Sequence, residues 1–269
     1  MFAFWRWLRG LPENPVYLRE RGSWGNPNPF FDNLNRFSPF IILGTISLGL
    51  CAGYNPSLLT GFENDDALFF VWCLVCLPGI LLSMLTIFGS LMAPALTAPA
   101  ISMEQDKGTW DVLRMTPYST NSILLAKLFG ALSRLRIWPV LFVLTLLQGM
   151  MMFCLMTISG TETAVFGWLL GLATMIRPWL EILFAAFTGM YFSTLVRSAT
   201  VALASAYTAV VLFKLLNSSG VWVLGSAFLN VDETLVLLNG TIGPVVLYSI
   251  AVGLLWLGII GQAKKLSDE

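Results

Sequence analysis

The chain contains no histidine and few charged residues, and both shortages limit the kinds of catalytic and metal-binding site that it can form. Without histidine, Ser–His and Cys–His catalysis are excluded and the commonest metal ligand is missing. The sequence also lacks a G-x-x-x-x-G-K-[ST] phosphate loop, so it does not bind ATP in the P-loop manner. We therefore predict a protein that is not an enzyme, with no metal site, no cofactor and no nucleic-acid partner.

Hydrophobic residues dominate the composition. They make up 57% of the 269 residues against 11% charged residues, and the mean hydropathy is +0.77. Soluble domains carry about one quarter charged residues, and a bilayer accepts apolar surface that a soluble core could not cover. The composition predicts an all-α integral membrane protein.

The four cysteines lie in apolar surroundings. Cys73 and Cys76 have CxxC spacing, but they lie in a hydrophobic run with no basic neighbour and no second pair. A reactive thiol or a zinc site needs those features. The spacing therefore indicates small apolar residues on a buried helix.

Long apolar runs predict six membrane spans. The second run would measure about 50 Å as a helix, beyond a hydrocarbon core of about 30 Å, so it must kink, tilt or project. Pro78, Pro94 and Pro99 mark the expected kinks. The predicted spans are residues 39–54, 67–100, 137–158, 178–196, 200–216 and 243–261.

Other segments are predicted to lie at the membrane surface. Residues 1–9 interleave aromatic residues with arginines, as in an amphipathic segment in the headgroup plane. Pro178 suits the first turn of the fourth span, which leaves residues 164–176 as an interfacial or re-entrant stretch. Residues 221–229 are too short to span and are expected to dip in at the outer face. Residues 101–136 are polar and basic and are expected on the inner side.

Charge placement orients the six spans. Thirteen of the fifteen basic residues fall on one side, and only Arg177 and Lys214 fall at the outer ends of spans. The positive-inside rule then predicts cytoplasmic N- and C-termini in a multi-pass protein of the cell (inner or cytoplasmic) membrane. We expect one polytopic domain over residues 1–269, with a cytoplasmic interfacial segment (1–38), a six-span bundle (39–262) and a cytoplasmic tail (263–269).

The loop after the second span carries a short amphipathic helix. Thr109 can cap it, Asp111 suits its first turn, and the Thr116–Pro117 pair ends it. Trp110 and Leu113 lie three apart and, with Met115 added as a third candidate, offer an apolar edge. Such a helix suits docking onto a soluble partner, although a solvated loop helix would have the same pattern.

Here the sequence resembles the ABC-2 type permeases of ABC transporters. The loop shows an acidic residue, Gly-Thr, a second acidic residue, Leu, Thr-Pro, and a lysine in the next helix, Lys127. Residues 14–20 resemble the family's amphipathic connecting helix, and residues 193–200 resemble its tight turn between the fourth and fifth spans. In that family the loop is a coupling helix that contacts a separate ATPase subunit. The partner-binding residues that the resemblance implies are Glu104, Gly108, Thr109, Trp110, Asp111, Leu113, Thr116 and Pro117.

The resemblance implies the permease subunit of a transporter driven by a separate ATP-binding subunit. It would form a homodimer or pair with a related permease, contact membrane lipids, and move an unidentified substrate, for which a lipidic or hydrophobic molecule is compatible. The alternative is a non-transporting scaffold subunit of a larger bioenergetic membrane complex, built on the same fold.

Arg177 and Glu181 form a candidate ion pair, since residues four apart share a helix face. Inside the membrane they would be candidate pathway residues. At the interface they would only anchor a helix end. Both interpretations stay open at this point.

Overall fold

A computed structural model describes residues 10–21, 66–135, 137–158, 164–228 and 233–268. Over these ranges the chain is helical apart from turns, and they contain no strand. The all-α prediction is confirmed for this part of the chain. The N-terminal aromatic segment and the first predicted span, residues 1–9 and 39–54, lie outside the described residues.

The helices are numbered in chain order and follow a 3-10 turn at Leu11–Glu13. They are α1 (Pro15–Arg21), α2 (Asp66–Thr97), α3 (Pro99–Asp106), α4 (Trp110–Arg114), α5 (Thr120–Ser133), α6 (Trp138–Ile158), α7 (Ala164–Leu195), α8 (Ala199–Leu216), α9 (Ser219–Phe228) and α10 (Glu233–Asp268).

Four helical segments are long and apolar enough to cross a membrane. They are Pro78–Asp106, Trp168–Leu195, Ala199–Leu216 and Asn239–Lys265, and a fifth results if α5 and α6 count as one broken span. The chain is therefore a multi-pass membrane protein. These segments overlap the second to sixth predicted spans, and the count of six stays a prediction.

One predicted boundary is wrong. Pro178 does not begin a span but lies inside α7, so residues 164–176 belong to the same helix and are not a separate interfacial stretch. The sixth predicted span, residues 243–261, lies inside the candidate span Asn239–Lys265, and its helix α10 contains Pro244 and extends beyond it on both sides. Membrane helices tolerate internal proline because neighbouring helices and side chains satisfy the freed backbone groups.

The second predicted span is interrupted where its prolines end. α2 runs through Pro78 and Pro94 to Thr97, and α3 begins at Pro99. Residues 101–136, predicted as a polar loop, hold three helices. Of these, α5 is buried along most of its length.

The chain divides into two compact units. The first comprises Met1–Pro27, Phe88–Arg136 and Trp179–Glu269, and the second comprises Asn28–Ile87 and Ile137–Pro178. Each is described by itself below. The prediction of a single membrane domain stays a prediction.

In the first unit, α1 packs closely on α5. A Cβ added at Gly130 would lie 2.6 Å from Glu20 Cβ and 3.2 Å from the Tyr17 carbonyl oxygen, so only glycine allows this approach. An apolar cluster next to it consists of Leu11, Val16, Ile123 and Ala126. This contact places the charged end of α1 over α5.

At the other end of the first unit, α9 packs on α10. The buried Asn217 side chain, just after α8, donates to the Pro244 carbonyl (3.1 Å) and accepts from Trp222 Nε1 (2.8 Å). The Trp222 ring lies against Gly243, where a Cβ would be 2.7 Å away. That residues 221–229 dip into the outer face stays a prediction.

In the second unit, α2, α6 and α7 contribute small residues at close contacts. The Gly79 Cβ position faces the buried amide of Gln148 at 3.6 Å. Gly149 follows Gln148 on α6 and leaves room for the Met175 side chain. A Cβ added at Gly149 would lie 3.1 Å from the Gly171 carbonyl oxygen.

Candidate functional site

The loop between α3 and α5 is tightly folded. Gly108 has φ +66°, a left-handed conformation that glycine adopts without the steric cost of a Cβ. The Thr109 backbone N–H returns to the Glu104 carbonyl (2.9 Å), which closes the end of α3. Thr109 then begins the five-residue helix α4, and its carbonyl accepts from Leu113 N (3.2 Å).

The side chain of Glu104 binds this loop to two other helices. Thr109 donates its hydroxyl to Glu104 Oε2, while Arg19 Nη2 and Lys127 Nζ lie 2.6 and 3.3 Å from Oε1. Arg19 belongs to α1 and Lys127 to α5. One carboxylate therefore joins the α3–α5 loop, α1 and α5.

Lys127 is the centre of this cluster, and its side chain is only 1% exposed. Its ammonium group lies 2.9 Å from Glu20 Oε1, 2.9 Å from the Ala100 carbonyl oxygen and 3.3 Å from Glu104 Oε1. An ammonium group has three N–H donors, so each has an acceptor here. A buried charge needs such pairing to offset its desolvation.

Arg134 extends the cluster at the end of α5, with Nη2 3.9 Å from Glu20 Oε2. We call Arg19, Glu20, Glu104, Lys127 and Arg134 the Lys127 cluster. Three of its members are basic and two are acidic, and they come from α1, α3 and α5 with its C-cap. The bond between Glu20 and Lys127 joins residues that lie 107 apart in the sequence.

The structure turns the predicted apolar anchors of α4 inward. Trp110 is 4% exposed, and Leu113 packs on the cluster formed by Leu11, Val16 and neighbouring residues. In this chain both side chains are thus covered at least in part by their own protein, and their role as partner-binding residues stays a prediction. Residue spacing predicts which residues share a helix face, but it does not predict what that face packs against.

The outward face of the loop carries other apolar residues. Val112 is 65% exposed and Met115 is 85% exposed, and Tyr118 is also exposed. Thr116 donates its hydroxyl to the Leu113 carbonyl (2.6 Å), which ends α4 before the exposed Pro117. We call Val112, Met115 and Tyr118 the loop tip. The side chains of Asp111 and Arg114 lie outside the described part of the loop.

Comparison with known proteins agrees with this arrangement. The family model for ABC-2 family transporter proteins matches residues 26–261, which is most of the chain. The chain belongs to this ABC-2 transporter family. No curated protein and no solved structure gave a significant match. ABC-2 permeases are the transmembrane components of ABC-type transporters, are not catalytic themselves, and pair with an ATP-binding subunit.

Three sequence stretches that resemble ABC-2 permeases thus meet at one place in this chain. Glu20 comes from the connecting-helix stretch, Glu104 from the coupling-helix stretch, and Lys127 from the helix that follows. Sequence reasoning did not select Arg19, Glu20, Lys127 or Arg134 as site residues. One signal was available for Lys127, because it is a single charge among apolar residues of α5 and lysine is rarely buried without partners.

The second candidate site of this ABC-2 permease lies between α7 and α8. Glu181 Oε2 accepts from Lys214 Nζ at 2.7 Å, and the Lys214 side chain is 35% exposed. Lys214 was not predicted as a partner of Glu181. The predicted pairing of Arg177 with Glu181 stays a prediction.

Two aromatic residues near this pair in the sequence form a cluster of three rings with Tyr248. Phe184 stacks on Phe213 with ring centroids 4.3 Å apart, and Tyr248 of α10 approaches the two rings at 5.5 and 5.2 Å. Glu181 lies fourteen residues before the end of α7, and Lys214 fifteen residues after the start of α8. At 1.5 Å per residue, the pair is about 21 Å along these helices from the α7–α8 turn.

Proposed function

We propose that this chain is the permease subunit of an ABC-2 type transporter and that its α3–α5 loop is the coupling element. The loop would dock on a separate ATP-binding subunit and pass its movements to the membrane helices. The observation that carries the proposal is the Lys127 cluster, which fixes the loop to α1 and α5 through buried charges.

The cluster supports coupling because it makes the loop stiff where it meets the membrane helices. A loop that moved freely would absorb a partner's displacement. Glu104 instead has three side-chain partners, and the ammonium of Lys127 has an acceptor for each donor. A push on α4 therefore reaches α1 and α5 through short polar contacts.

The loop tip supplies the contact surface in this proposal. Val112 and Met115 are exposed apolar side chains next to the rigid part of the loop. Apolar anchors near the centre of an interface carry most of its binding energy. The implied set of Glu104, Gly108, Thr109, Trp110 and Leu113 would then shape the loop from within, while the tip contacts the partner.

The proposed orientation places the Lys127 cluster on the cytoplasmic side, with both termini cytoplasmic in the cell membrane. The basic residues near the cluster and after the last span support this orientation. In this frame Glu181 and Lys214 lie toward the outer side. There they would anchor the α7–α8 hairpin. The alternative role for them is that of pathway residues.

The substrate remains unidentified, with a lipidic or hydrophobic molecule compatible with the apolar faces of α8 and α10. Leu212 and Leu216 of α8 and Leu254 and Leu257 of α10 are exposed. These faces would contact membrane lipids or a second permease copy in a dimer. The scaffold alternative has no specific observation in its favour.

The test is co-purification of the ATP-binding subunit with variants of the loop tip. Truncating a well-packed interface anchor costs about 2 kcal/mol or more, roughly thirtyfold in affinity. We expect the double variant Val112→Ala and Met115→Ala to retain much less of the partner. Met84→Ala is the matched control, since Met84 is a comparably exposed methionine on α2.

Capture of an ATPase by wild type and by Met84→Ala, but not by the double variant, supports the proposal. If wild type captures no ATPase and instead brings down a stable set of other membrane proteins, the permease proposal fails and the scaffold alternative replaces it.

A further inference from the structure

α3 begins without a capping side chain of its own. Its first residue is Pro99 and its N-cap residue is Ala98, which has no oxygen in its side chain. The N–H groups up to the third residue of a helix have no acceptor within that helix, and leaving them buried and unpaired is costly. In α3 the third residue is Ile101, which is fully buried, and the equally buried Ser102 follows it.

The missing acceptor comes from α7. Ser193 Oγ accepts hydrogen bonds from Ile101 N (2.9 Å) and from Ser102 N (2.8 Å). Ser193 is itself fully buried. Its hydroxyl thus takes the place of an N-cap side chain, from a helix about ninety residues away in the sequence.

One turn earlier, α7 approaches the α2–α3 junction at Gly189. A Cβ there would lie 3.0 Å from Pro94 Cα and 3.3 Å from the Ala98 nitrogen, and it would collide with the Thr97 hydroxyl. Gly189 and Ser193 are four residues apart and share one face of α7. That face therefore contacts α2 before the interruption and α3 after it.

From these contacts we infer that Ser193 is a positioning residue that makes α7 follow the movements of α3. The inference rests on the proposed coupling function. The Ala98–Pro99 junction lies inside the candidate span Pro78–Asp106, and a proline junction is a point at which α3 can bend relative to α2. The Ser193 cap and the Gly189 contact tie α7 to both sides of this junction. Near the other end of α3, Glu104 holds the α3–α5 loop, called the docking loop in this proposal.

The experiment measures hydrogen exchange in the complex of the full chain with its ATP-binding subunit, in lipid nanodiscs. Exchange is compared with and without a non-hydrolysable ATP analogue, over residues 104–117 of the docking loop and 185–195 of α7. The variants are Ser193→Ala, which removes the acceptor, and Ser193→Thr, which keeps it. Thr194→Val is the matched control, because the Thr194 hydroxyl donates to the Tyr191 carbonyl of its own helix (2.7 Å).

In Ser193→Ala we expect faster exchange of the Ile101 and Ser102 amides, by about fivefold for each lost hydrogen bond. The nucleotide-dependent change in α7 is lost while the change in the docking loop persists. Ser193→Thr and Thr194→Val respond like wild type. A general loss of stability would not remove the α7 response selectively.

A response of α7 in Ser193→Ala equal to that of wild type overturns the inference and leaves the proposed function standing. If the docking loop of wild type does not respond to nucleotide, the proposed function fails and this inference fails with it. If Ser193→Ala does not fold, Gly189→Ala serves as the second variant. It forces α7 away from Pro94 and is expected to lose the same response, and retention of that response overturns the inference.

Discussion

Lys127 and Lys214 are both paired with glutamate, but their surroundings differ. Lys127 is 1% exposed and has three acceptors from different parts of the first unit. The Lys214 side chain is 35% exposed and binds Glu181 of the neighbouring helix. The fully buried lysine defines the relative positions of three helices. The half-exposed one joins two helices that already neighbour each other in sequence.

This difference indicates that the effect of an ion pair on stability depends on how deeply it is buried and on how many helices it joins. Removing one partner from a buried cluster leaves the others as uncompensated charges, which costs more than the pair contributes. Polar contacts between membrane helices contribute less, because the unfolded state in the membrane also finds partners. The predictions below follow that order.

The largest effect is expected for Lys127→Met. The substitution leaves Glu20 and Glu104 buried without their central partner, so we expect a loss of about 3–5 kcal/mol in unfolding free energy. The measurement is denaturant-induced unfolding of the purified protein in mild detergent. The triple variant with Glu20→Gln and Glu104→Gln should recover part of the loss, because no carboxylate then stays unpaired.

A smaller effect is expected for Lys214→Met, because the lysine is half-buried and lies in a candidate membrane span. We expect a loss of about 1 kcal/mol in unfolding free energy, measured in the same way. Lys214→Met combined with Glu181→Gln should cost less than the sum of the two single changes, because both remove the same contact. If the pair is only an anchor, transport should survive in this double variant. A well-folded double variant that loses transport would make these residues part of the pathway.

The smallest effect is expected for Arg19→Ala. Arg19 lies 2.6 Å from Glu104, but its side chain is 54% exposed, so solvent and salt screen the pair. We expect a loss of about 0.5 kcal/mol at low salt that nearly disappears at 1 M salt. A loss as large as that of Lys127→Met would contradict the distinction between the buried centre and the exposed rim of the cluster.

Much of the helical framework could be predicted from apolar runs. The third and fifth predicted spans, residues 137–158 and 200–216, agree closely with α6 and α8. The error at Pro178 arose because the preference of proline for the first turn of a helix does not show where surrounding helices satisfy the backbone groups that an internal proline frees.

The candidate site was predictable only in part. The loop and its family could be predicted from local residue order, but the partners of Glu104 come from α1 and α5 and are visible only in the fold. The surroundings of Trp110 and Leu113 were not predictable for the same reason. Spacing places the two residues on one face, but only the fold shows that Trp110 is buried and that Leu113 packs against the cluster of Leu11 and Val16.

The central claim is that the loop tip meets an ATP-binding subunit. Its most direct measurement is photo-cross-linking in native membranes from a benzoyl-phenylalanine placed at Met115, the most exposed of the loop-tip side chains. The account predicts an adduct between this chain and an ATPase subunit from position 115 and none from the control position Met84. An adduct from position 115 only to other membrane proteins, with no ATPase in it, would contradict the account.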